Sequence, residues 1–530
     1  MNIGVLLQRQ AEERPNAAAL IDTWRGVSRH TSYADLERMA GRGATLLSQA
    51  GLRAGDIVLV LAPMSPELYA ALAAIFRLGL VAMVPDPSVS LAELNRCCQI
   101  AHPTALIASA KLHLLRAVSP ALRRIKLKWS LGRRMPGAMR WDALDRCEYQ
   151  GHLESVDDDA PALMTFTSGT TAEPKPVVRT HGFLAAQYEA IRRALELAPG
   201  EVELVTLPIF VFANLATGVT SLIPDVNLRQ VGSIDASRVV GQIEKHGPQR
   251  MAASPAFCER IAEHCLSHGT QLSGLEKIFT GGGPVSPRLL GQLTKVAPHA
   301  EVVAVYGATE AEPIARVARS EIAARDIVAM NDGAGLLAGA PVPEIELHIL
   351  PNRWPDRIRP LCEAEFQRLC CPAGEPGEIV VSGRHVLSGY LDDKDGDIHK
   401  FQVDGTCWHR TGDAGYLDAQ GRLWLLGRCS ARVSDAHGTL YPFTVEQIAL
   451  SQPGVRRAAL ALHRGQRLLV VETNRRLTDA DLESMKYRLD RYCVERIHVV
   501  RQLPMDRRHN AKVDYRALVR LLERTACPTA

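Results

Sequence analysis

The 530-residue chain lacks the features that mark several protein classes. Its twelve cysteines include no C-x-x-C pair, so neither a disulfide scaffold nor a zinc knuckle is indicated. Lys and Arg number 62 against 58 Asp and Glu, a net charge of +4, which is small for a dedicated nucleic-acid binder. The N-terminal segment carries charged residues where a signal peptide needs an uninterrupted apolar run. We therefore expect a reduced, cytoplasmic protein with no nucleic-acid partner.

One uncharged stretch, residues 204–224, is long enough to cross a bilayer. It contains Pro208, Asn214 and Gly218 together with several hydroxyl side chains, which a lipid-facing helix disfavours. We predict a buried strand followed by a helix here, and no transmembrane span.

Short apolar runs alternate with helical periodicity through the first half of the chain. Residues 57–61 read as a strand, 67–78 as a helix and 81–84 as the next strand, and the pattern recurs from 237 to 297. This alternation predicts an α/β fold with parallel strands. Past about residue 340 the strands look antiparallel, and the tail beyond Arg428 reads as a compact α+β domain. We predict a large N-terminal domain over residues 1–428 and a small, mobile C-terminal domain over 429–530.

The most informative stretch is residues 165–182, TFTSGTTAEPKPVVRTHG. A turn rich in hydroxyl side chains, with one glycine and one lysine, can direct backbone N–H groups, hydroxyls and an ammonium at a polyphosphate. It is not a Walker A loop, because the chain contains no Gly-Lys dipeptide. Taken alone, the stretch favours phosphate binding, with an ordinary Ser/Thr-rich turn as the alternative.

Four further motifs follow this loop in a fixed order: Gly-Gly-Gly-Pro at 281–284, Tyr-Gly-Ala-Thr-Glu at 306–310, Thr-Gly-Asp at 411–413 with the segment 421–428, and a late lysine, Lys512. Together with the phosphate loop they resemble the adenylate-forming superfamily, which includes acyl-CoA synthetases, luciferases and nonribosomal peptide adenylation domains. The resemblance implies the α/β fold with a large adenylate-forming domain and ATP and Mg²⁺ as ligands.

Residue roles follow from the resemblance by matching position. Glu310 is expected to bind Mg²⁺, since a hard cation prefers carboxylate oxygen. Asp413 is expected to accept hydrogen bonds from both ribose hydroxyls. Lys512, Glu310 and Lys175 are the implied catalytic residues, with Lys512 neutralising charge between the substrate carboxylate and the α-phosphate. The implied nucleotide-binding set is Thr167, Ser168, Gly169, Thr170, Thr171, Gly281, Gly282, Gly283, Tyr306, Gly307, Thr309, Asp413 and Arg428.

Several positions depart from the superfamily pattern. Ala172 and Pro176 stand in the phosphate loop where glycine is usual, and Ala511 replaces the glycine before the late lysine. Relatives that use CoA commonly have a lysine and then a glycine after the hinge. In residues 429–438 the lysine is missing and Gly438 is displaced, which argues against CoA as a substrate.

The acyl substrate can be read in part from residues 204–224, which contain no Asp or Glu. Domains that activate α-amino acids usually place an aspartate in this region, and an unpaired ammonium would be costly to bury. The apolar side chains here either line a channel for an alkyl chain or belong to the core. They are Ile209, Phe210, Val211, Phe212, Leu215 and Val219.

A finer resemblance is to the olefin-pathway β-lactone synthetases of this superfamily, carried by residues 84–87, 212–216, 306–311, 408–418 and 508–512. It implies adenylation of a fatty acid, a 2-alkyl-3-hydroxy acid, followed by attack of the 3-hydroxyl to give a β-lactone. Pathway enzymes are the possible partners. Two alternatives stay open: a fatty acyl ligase that passes the adenylate to CoA or a carrier thiol, and a non-catalytic sensor. No proton acceptor is identified, since His181 and His409 are expected to be structural or solvated.

Overall fold

Strands and helices alternate through the first 253 residues, as the sequence predicts. The computed structural model describes residues 1–86, 89–149, 151–168, 174–387, 389, 398–505 and 513–525. Within residues 1–253 the strands are β1 (Ala18–Trp24), β2 (Val27–Ser32), β3 (Ile57–Leu61), β4 (Val81–Met83), β5 (Ala105–Ser109), β6 (Leu127–Leu131), β7 (Met139–Arg140), β8 (Pro161–Ser168), β9 (Pro174–Thr180), β10 (Val202–Val205), β11 (Thr220–Leu222) and β12 (Arg250–Ala253). The helices are α1 (Val5–Glu13), α2 (Tyr33–Gln49), α3 (Pro66–Arg77), α4 (Leu91–Ala101), α5 (Ala110–His113), α6 (Pro120–Arg124), α7 (His181–Ala194), α8 (Pro208–Thr217) and α9 (Ala236–His246).

Two sets of mostly parallel strands organise this part of the chain. One sheet has the order β7-β6-β5-β3-β4-β8-β9, and all its pairs are parallel except the β8–β9 hairpin. The other set pairs in the order β12-β10-β11-β1-β2, antiparallel only at β1–β2. Central strands such as β3, with the consecutive residues Val58, Leu59 and Val60 buried, are apolar and buried on both faces, as is usual for parallel strands.

Residues 204–224 form the end of β10, helix α8 and strand β11, so the prediction of a buried strand and helix is confirmed. The described part of the chain has no helix that is both long and apolar enough to cross a membrane.

Beyond residue 253 most strand pairs are antiparallel, although β13–β14 and β25–β26 are parallel. The strands are β13 (Lys277–Gly281), β14 (Glu301–Ala308), β15 (Ala311–Ala318), β16 (Leu336–Pro341), β17 (Glu346–Leu350), β18 (Gly377–Ser382), β19 (Lys400–Val403), β20 (Thr406–Leu417), β21 (Leu423–Arg428), β22 (Val433–Asp435), β23 (Gly438–Leu440), β24 (Val455–His463), β25 (Gln466–Thr473) and β26 (Arg496–Val500). The helices are α10 (Pro255–His268), α11 (Pro287–Val296), α12 (Ala324–Asn331), α13 (Glu363–Leu369), α14 (Pro442–Leu450), α15 (Asp479–Leu489) and α16 (Tyr515–Thr525).

Strands β13 to β21 form one run in the order β13-β14-β15-β16-β21-β20-β18-β17, with β19 on β20. Only β13–β14 is parallel in this run. The antiparallel pairing predicted past about residue 340 is present, but it already begins earlier, at the β14–β15 pair.

The tail has its own small core, as predicted. Strands β24, β25 and β26 form a three-stranded sheet, and α14 and α15 pack on it through buried residues such as Val445, Ile448 and Met485. The α/β fold class with a small C-terminal α+β domain is confirmed.

Two compact units emerge from the pattern of contacts. One comprises chiefly Met1–Arg229 and Arg238–Ala252, and the other the described residues of Ala253–Ser388 and Gly396–Ala530. Near the predicted domain boundary, β21 ends at Arg428 and a 3₁₀ turn covers Cys429–Ala431. The boundary at residues 428/429 and its mobility stay a prediction.

Candidate active site

The first part of the candidate site, in the second unit, is the end of strand β13, where the backbone requires glycine. Gly281 ends β13 and lies opposite Val305 in the parallel β13–β14 ladder. A Cβ atom at Gly281 would lie 2.4 Å from the carbonyl oxygen of Val305, so a larger residue cannot stand there. Gly282 follows with φ of +82°, a left-handed backbone that favours glycine. Backbone geometry therefore requires glycine at position 281 and favours it at position 282, beside the strand that carries Tyr306.

The Thr309–Glu310 pair forms the turn of the β14–β15 hairpin. Ala308 pairs with Ala311 across the ladder, so Thr309 and Glu310 lie between the paired residues. The backbone carbonyl of Glu310 accepts a hydrogen bond from the Leu387 amide at 2.8 Å. This contact holds the turn from one side and sets the position from which the Glu310 carboxylate projects.

Tyr306, Asp413 and Arg428 meet in one polar cluster. The Tyr306 hydroxyl donates to Asp413 Oδ2 at 2.9 Å, and Arg428 Nε lies 3.2 Å from Asp413 Oδ1. Asp413 and Arg428 are register partners in the β20–β21 ladder. Thr411 fixes the turn, because its hydroxyl accepts from the Asp413 amide at 3.1 Å and donates to the Ile379 carbonyl at 2.9 Å. Motifs separated by more than a hundred residues thus converge on one carboxylate.

The charges of this polar cluster support one another. Burial, reinforced by the Asp413 carboxylate, raises the pKa of Tyr306 well above its ordinary value, so the phenol stays protonated and donates. The same carboxylate, outweighing the effect of burial, raises the pKa of Arg428. A carboxylate oxygen can accept more than one hydrogen bond, so each oxygen of Asp413 can still accept one from a ligand hydroxyl group.

The phosphate loop is described only at its two ends. Strands β8 and β9 pair as an antiparallel hairpin in the first unit, with Thr167 opposite Lys175 and Ser168 opposite Pro174. Lys175 therefore lies at the base of the loop, on the strand that leaves it. The predicted ligands Gly169, Thr170 and Thr171, and the predicted catalytic Lys512, lie outside the described residues.

The first unit encloses an apolar cavity of about 60 Å³. Helix α8 supplies Ile209, Phe212 and Leu215 to its lining, three of the six residues predicted to form either a channel or a core. The other three, Phe210, Val211 and Val219, are buried in the core. Each alternative therefore holds for half of the set, because α8 contributes residues to both the cavity and the core, and Val219 follows the helix in the core.

Aromatic rings on α3 meet Phe212 at this cavity. Tyr69 contacts Phe212 edge-on with ring centroids 5.4 Å apart, and Phe76 lies 5.8 Å away. Helix α1 and helix α7 complete the wall, with Leu6 and Leu7 from the former. Sequence reasoning missed these contributions, since neither α1 nor α3 carries a motif; the helical spacing of their apolar residues predicts burial but not a cavity.

One amide enters this apolar wall. Gln187, on α7, is 2% exposed and lines the cavity, and its Oε1 has no hydrogen-bond partner among the described residues. A buried amide oxygen without a partner costs about 1–3 kcal/mol. No sequence signal pointed to Gln187, because a single glutamine in a helix is usually exposed.

The two histidines near the motifs are buried. His181 Nδ1 accepts from the Ile3 amide at 3.1 Å, and burial lowers the pKa of His181 to about 4. Burial also lowers the pKa of His409 well below its ordinary value. Both are therefore neutral and structural, and neither is exposed as the sequence alternative allowed.

The chain matches known proteins over nearly its full length. Residues 7–391 match the model of the family described as "AMP-binding enzyme". The chain is 31% identical to an olefin beta-lactone synthetase of Stenotrophomonas maltophilia, over 97% of this chain and 96% of that one. It is 30% identical to an olefin beta-lactone synthetase of Xanthomonas campestris pv. campestris, over 87% and 84% of the two chains.

Solved structures share the fold. The ATP-bound structure of MatB from Rhodopseudomonas palustris superposes with a TM-score of 0.81 at 20% identity, covering 99% of this chain and 100% of the other. At this identity the likeness supports the fold alone. The family match and the two relatives carry the assignment, and they confirm the acyl-adenylate-forming enzyme expected from the motifs: the chain belongs to the AMP-binding enzyme family.

Proposed function

We propose that the chain is an ATP-dependent β-lactone synthetase that adenylates a 3-hydroxy fatty acid and closes it to a β-lactone. The specific substrate that we propose is a 2-alkyl-3-hydroxy acid. The observation that carries the proposal is the 31% identity, over 97% of the chain, with an olefin beta-lactone synthetase. The polar cluster and the apolar cavity support it, because they offer the two kinds of surface that a nucleotide and an alkyl chain need.

ATP fits the polar cluster. The cluster presents a carboxylate, Asp413, whose orientation Tyr306 and Arg428 fix and which retains acceptor capacity for the ribose hydroxyls. The glycine turn beside Tyr306 leaves room for a flat base. Thr309 would contact the α-phosphate, and Lys175 with the loop hydroxyls would hold the β- and γ-phosphates.

Mg²⁺, when bound, would neutralise phosphate charge, and Glu310 would supply a hard carboxylate oxygen for it. Within the described ranges no group of three or more His, Cys, Asp or Glu side chains is placed to hold a metal ion. The cation would therefore depend on phosphate oxygens and water as well as Glu310.

In the first half-reaction a carboxylate oxygen of the substrate attacks the α-phosphorus of ATP. A P–O bond to pyrophosphate breaks, and the acyl-adenylate remains. Lys512 would stabilise the negative charge that builds up on the phosphorus oxygens.

In the second half-reaction the oxygen of the substrate's 3-hydroxyl attacks the acyl carbon. The bond from that carbon to the AMP oxygen breaks, the hydroxyl proton is released, and a four-membered lactone ring results. Nucleophile and electrophile belong to one molecule, and the resulting effective molarity offsets the weak nucleophilicity of an alcohol. His181 and His409 are not assigned as the proton acceptor, because both are buried.

The cavity lined by Phe212 is proposed to take an alkyl chain of the substrate. Each methylene removed from water contributes about 0.8 kcal/mol. Gln187 Oε1 would accept a hydrogen bond from a hydroxyl on the acyl substrate, which removes the cost of its missing partner. A hydroxylated fatty acid therefore fits this cavity better than an unsubstituted one.

The segment 429–438, where CoA-using relatives differ, runs from a 3₁₀ turn into the β22–β23 hairpin, which Arg467 holds. Asp435 pairs with Gly438 across β22–β23, and Arg467 binds both Asp435 oxygens at 2.7 Å and the Gly438 carbonyl at 2.8 Å. This segment is thus tied down by the protein itself, which supports a second step without CoA.

The test is product analysis with ATP and a 3-hydroxy fatty acid, with and without CoA. We expect AMP and a product with the carbonyl stretch of a β-lactone in both cases, and a 3-deoxy analogue should stop at the acyl-adenylate. A strict need for CoA with a thioester product would replace the proposal by an acyl-CoA ligase. Absence of pyrophosphate release with every acid would leave the non-catalytic sensor.

A further inference from the structure

A strongly basic segment lies in the first unit, away from every motif described above. Between Lys111 and Arg140 the chain carries nine Lys or Arg side chains and no Asp or Glu. This exceeds the net charge of +4 of the whole chain, so the rest of the protein is net acidic. The cationic side chains are Lys111, Arg116, Arg123, Arg124, Lys126, Lys128, Arg133, Arg134 and Arg140.

The fold gathers this segment at one edge of a sheet. The segment runs through α5, a 3₁₀ turn at Leu114–Ala117, α6, β6 and β7, and β7 is the terminal strand of its sheet. Arg116 donates to the Pro136 carbonyl at 2.8 Å, which ties the 3₁₀ turn to the β6–β7 loop. Lys128 Nζ donates to the Arg123 carbonyl at 3.2 Å, which ties β6 to α6. The charges therefore share one local surface.

Large apolar side chains protrude among these charges. Leu114 is 63% exposed and Val118 60% exposed, on and next to the 3₁₀ turn that bears Arg116. Trp24, nearly half exposed, extends the surface, since a Cβ atom on Gly132 in the β6–β7 loop would lie 3.9 Å from its ring. Exposed aliphatic and tryptophan side chains beside Lys and Arg are typical of surfaces that settle into the headgroup region of a bilayer.

We propose that this edge is a docking face for an anionic lipid bilayer. The basic face is defined by the exposed cations Lys111, Arg123, Arg124, Lys126, Arg133 and Arg134 with the apolar Leu114 and Val118. The cations would pair with lipid phosphates, and the two aliphatic side chains would enter the acyl boundary. A nucleic acid would use the cations but gain nothing from the protruding aliphatic groups. The proposal does not depend on the proposed function.

The experiment is sedimentation of the full chain with vesicles of phosphatidylcholine alone, or with about 30 mol % phosphatidylglycerol. We expect binding to the anionic vesicles only, and binding that falls as salt rises from about 0.05 M to about 0.5 M, where charges are screened over a few ångströms. Equal binding to both kinds of vesicle, or none to either, would overturn the proposal.

Two double variants locate the surface. Arg123→Glu with Arg124→Glu should weaken binding about tenfold or more, because each surface cation adds to the attraction. The matched control Lys295→Glu with Lys486→Glu makes the same charge change at exposed positions elsewhere and should retain most of the affinity. Equal losses in the two double variants would mean that net charge alone matters, and the proposed face would be wrong.

The aliphatic residues separate a bilayer from other polyanions. Leu114→Ser with Val118→Ser keeps every charge and should still weaken vesicle binding several-fold, since their apolar area no longer enters the bilayer. An unchanged affinity in this variant, together with tight binding of duplex DNA by the wild-type chain, would make the face a nucleic-acid surface instead. Thermal unfolding of each variant shows whether its fold is intact.

Discussion

The polar cluster around Asp413 and the apolar cavity around Phe212 are built by opposite means. Short, ordered motifs on neighbouring strands converge on Asp413, and each side chain is held by a directional hydrogen bond or ion pair. The cavity is lined mainly by apolar side chains from α1, α3, α7 and α8, together with the amide of Gln187. Directional contacts leave little freedom in residue type, whereas apolar packing accepts many residues of the right volume. Substitutions in the polar cluster should therefore lower activity, and substitutions in the cavity should change which acids the enzyme prefers.

Removing the Asp413 carboxylate should give the largest effect. Asp413→Ala loses two charge-assisted contacts to the ribose, and we expect the kcat/KM of ATP–pyrophosphate exchange to fall more than about a hundredfold, given about 1.5–3 kcal/mol for each such bond. Tyr306→Phe, which removes only the neutral hydroxyl that orients the carboxylate, should cost less than about tenfold. If Asp413→Ala exchanges pyrophosphate at the wild-type rate with an unchanged melting temperature, the cluster does not bind the nucleotide.

Filling the cavity should change the preference for the length of the alkyl chain and leave the binding of ATP unchanged. Each methylene of the substrate that the cavity buries contributes about 0.8 kcal/mol, which raises kcat/KM about fourfold. Ala216→Leu adds volume to the cavity lining. In this variant kcat/KM should therefore stop rising at a shorter alkyl chain than in the wild type. Val211→Leu overpacks the same helix on its core side and serves as the control. The same chain-length profile in both variants would mean that the alkyl chain binds elsewhere.

Gln187 should discriminate between hydroxylated and plain fatty acids. Gln187→Leu removes the buried amide oxygen without a large change in volume, and we expect the preference for a 3-hydroxy acid over its 3-deoxy analogue in acid binding to fall about tenfold. Because the unpaired oxygen also lowers the free energy of unfolding of the ligand-free protein, the variant should be at least as stable as the wild type. A preference that survives in Gln187→Leu would assign recognition of the hydroxyl to another residue.

His181 should give the smallest effect, a change in the pH dependence of stability. Burial lowers its pKa to about 4 from an ordinary value near 6.5, so between these two pH values the unfolded chain binds more protons than the folded one. The free energy of unfolding should therefore fall as pH drops through this window, with a slope of up to one proton from this residue. In His181→Gln that contribution should vanish, which calorimetry at a series of pH values would detect.

The sequence allowed the polar cluster to be anticipated residue by residue but not the cavity. Tyr306, Asp413 and Arg428 belong to motifs whose spacing reflects strand ends and turns. Backbone geometry, such as the close approach at Gly281, restricts the residue type at that position and can therefore be recognised in the sequence. Tyr69 and Gln187 reach the cavity only through the packing of α3 and α7, and such long-range packing leaves no local pattern. The same limit applies to α8, where one helix divides its apolar residues between cavity and core.

The pairing of strands shows a similar division. The alternation of strand and helix predicted the parallel strands β3 and β4 within a residue or so. The β8–β9 hairpin was interpreted from the sequence only as a turn, and the β14–β15 hairpin only as a motif, because their strands contain polar and charged residues. A half-exposed strand has a weaker hydrophobic period than a buried one.

Oxygen labelling of the substrate distinguishes intramolecular attack on an acyl-adenylate from transfer of the acyl group to CoA. A 3-hydroxy fatty acid labelled with ¹⁸O in both carboxylate oxygens is turned over with ATP and without CoA, and the products are weighed by mass spectrometry. With intramolecular attack we expect one ¹⁸O in AMP and one in the lactone carbonyl, with the ring oxygen unlabelled. Unlabelled AMP, or no lactone until CoA is added, would contradict it.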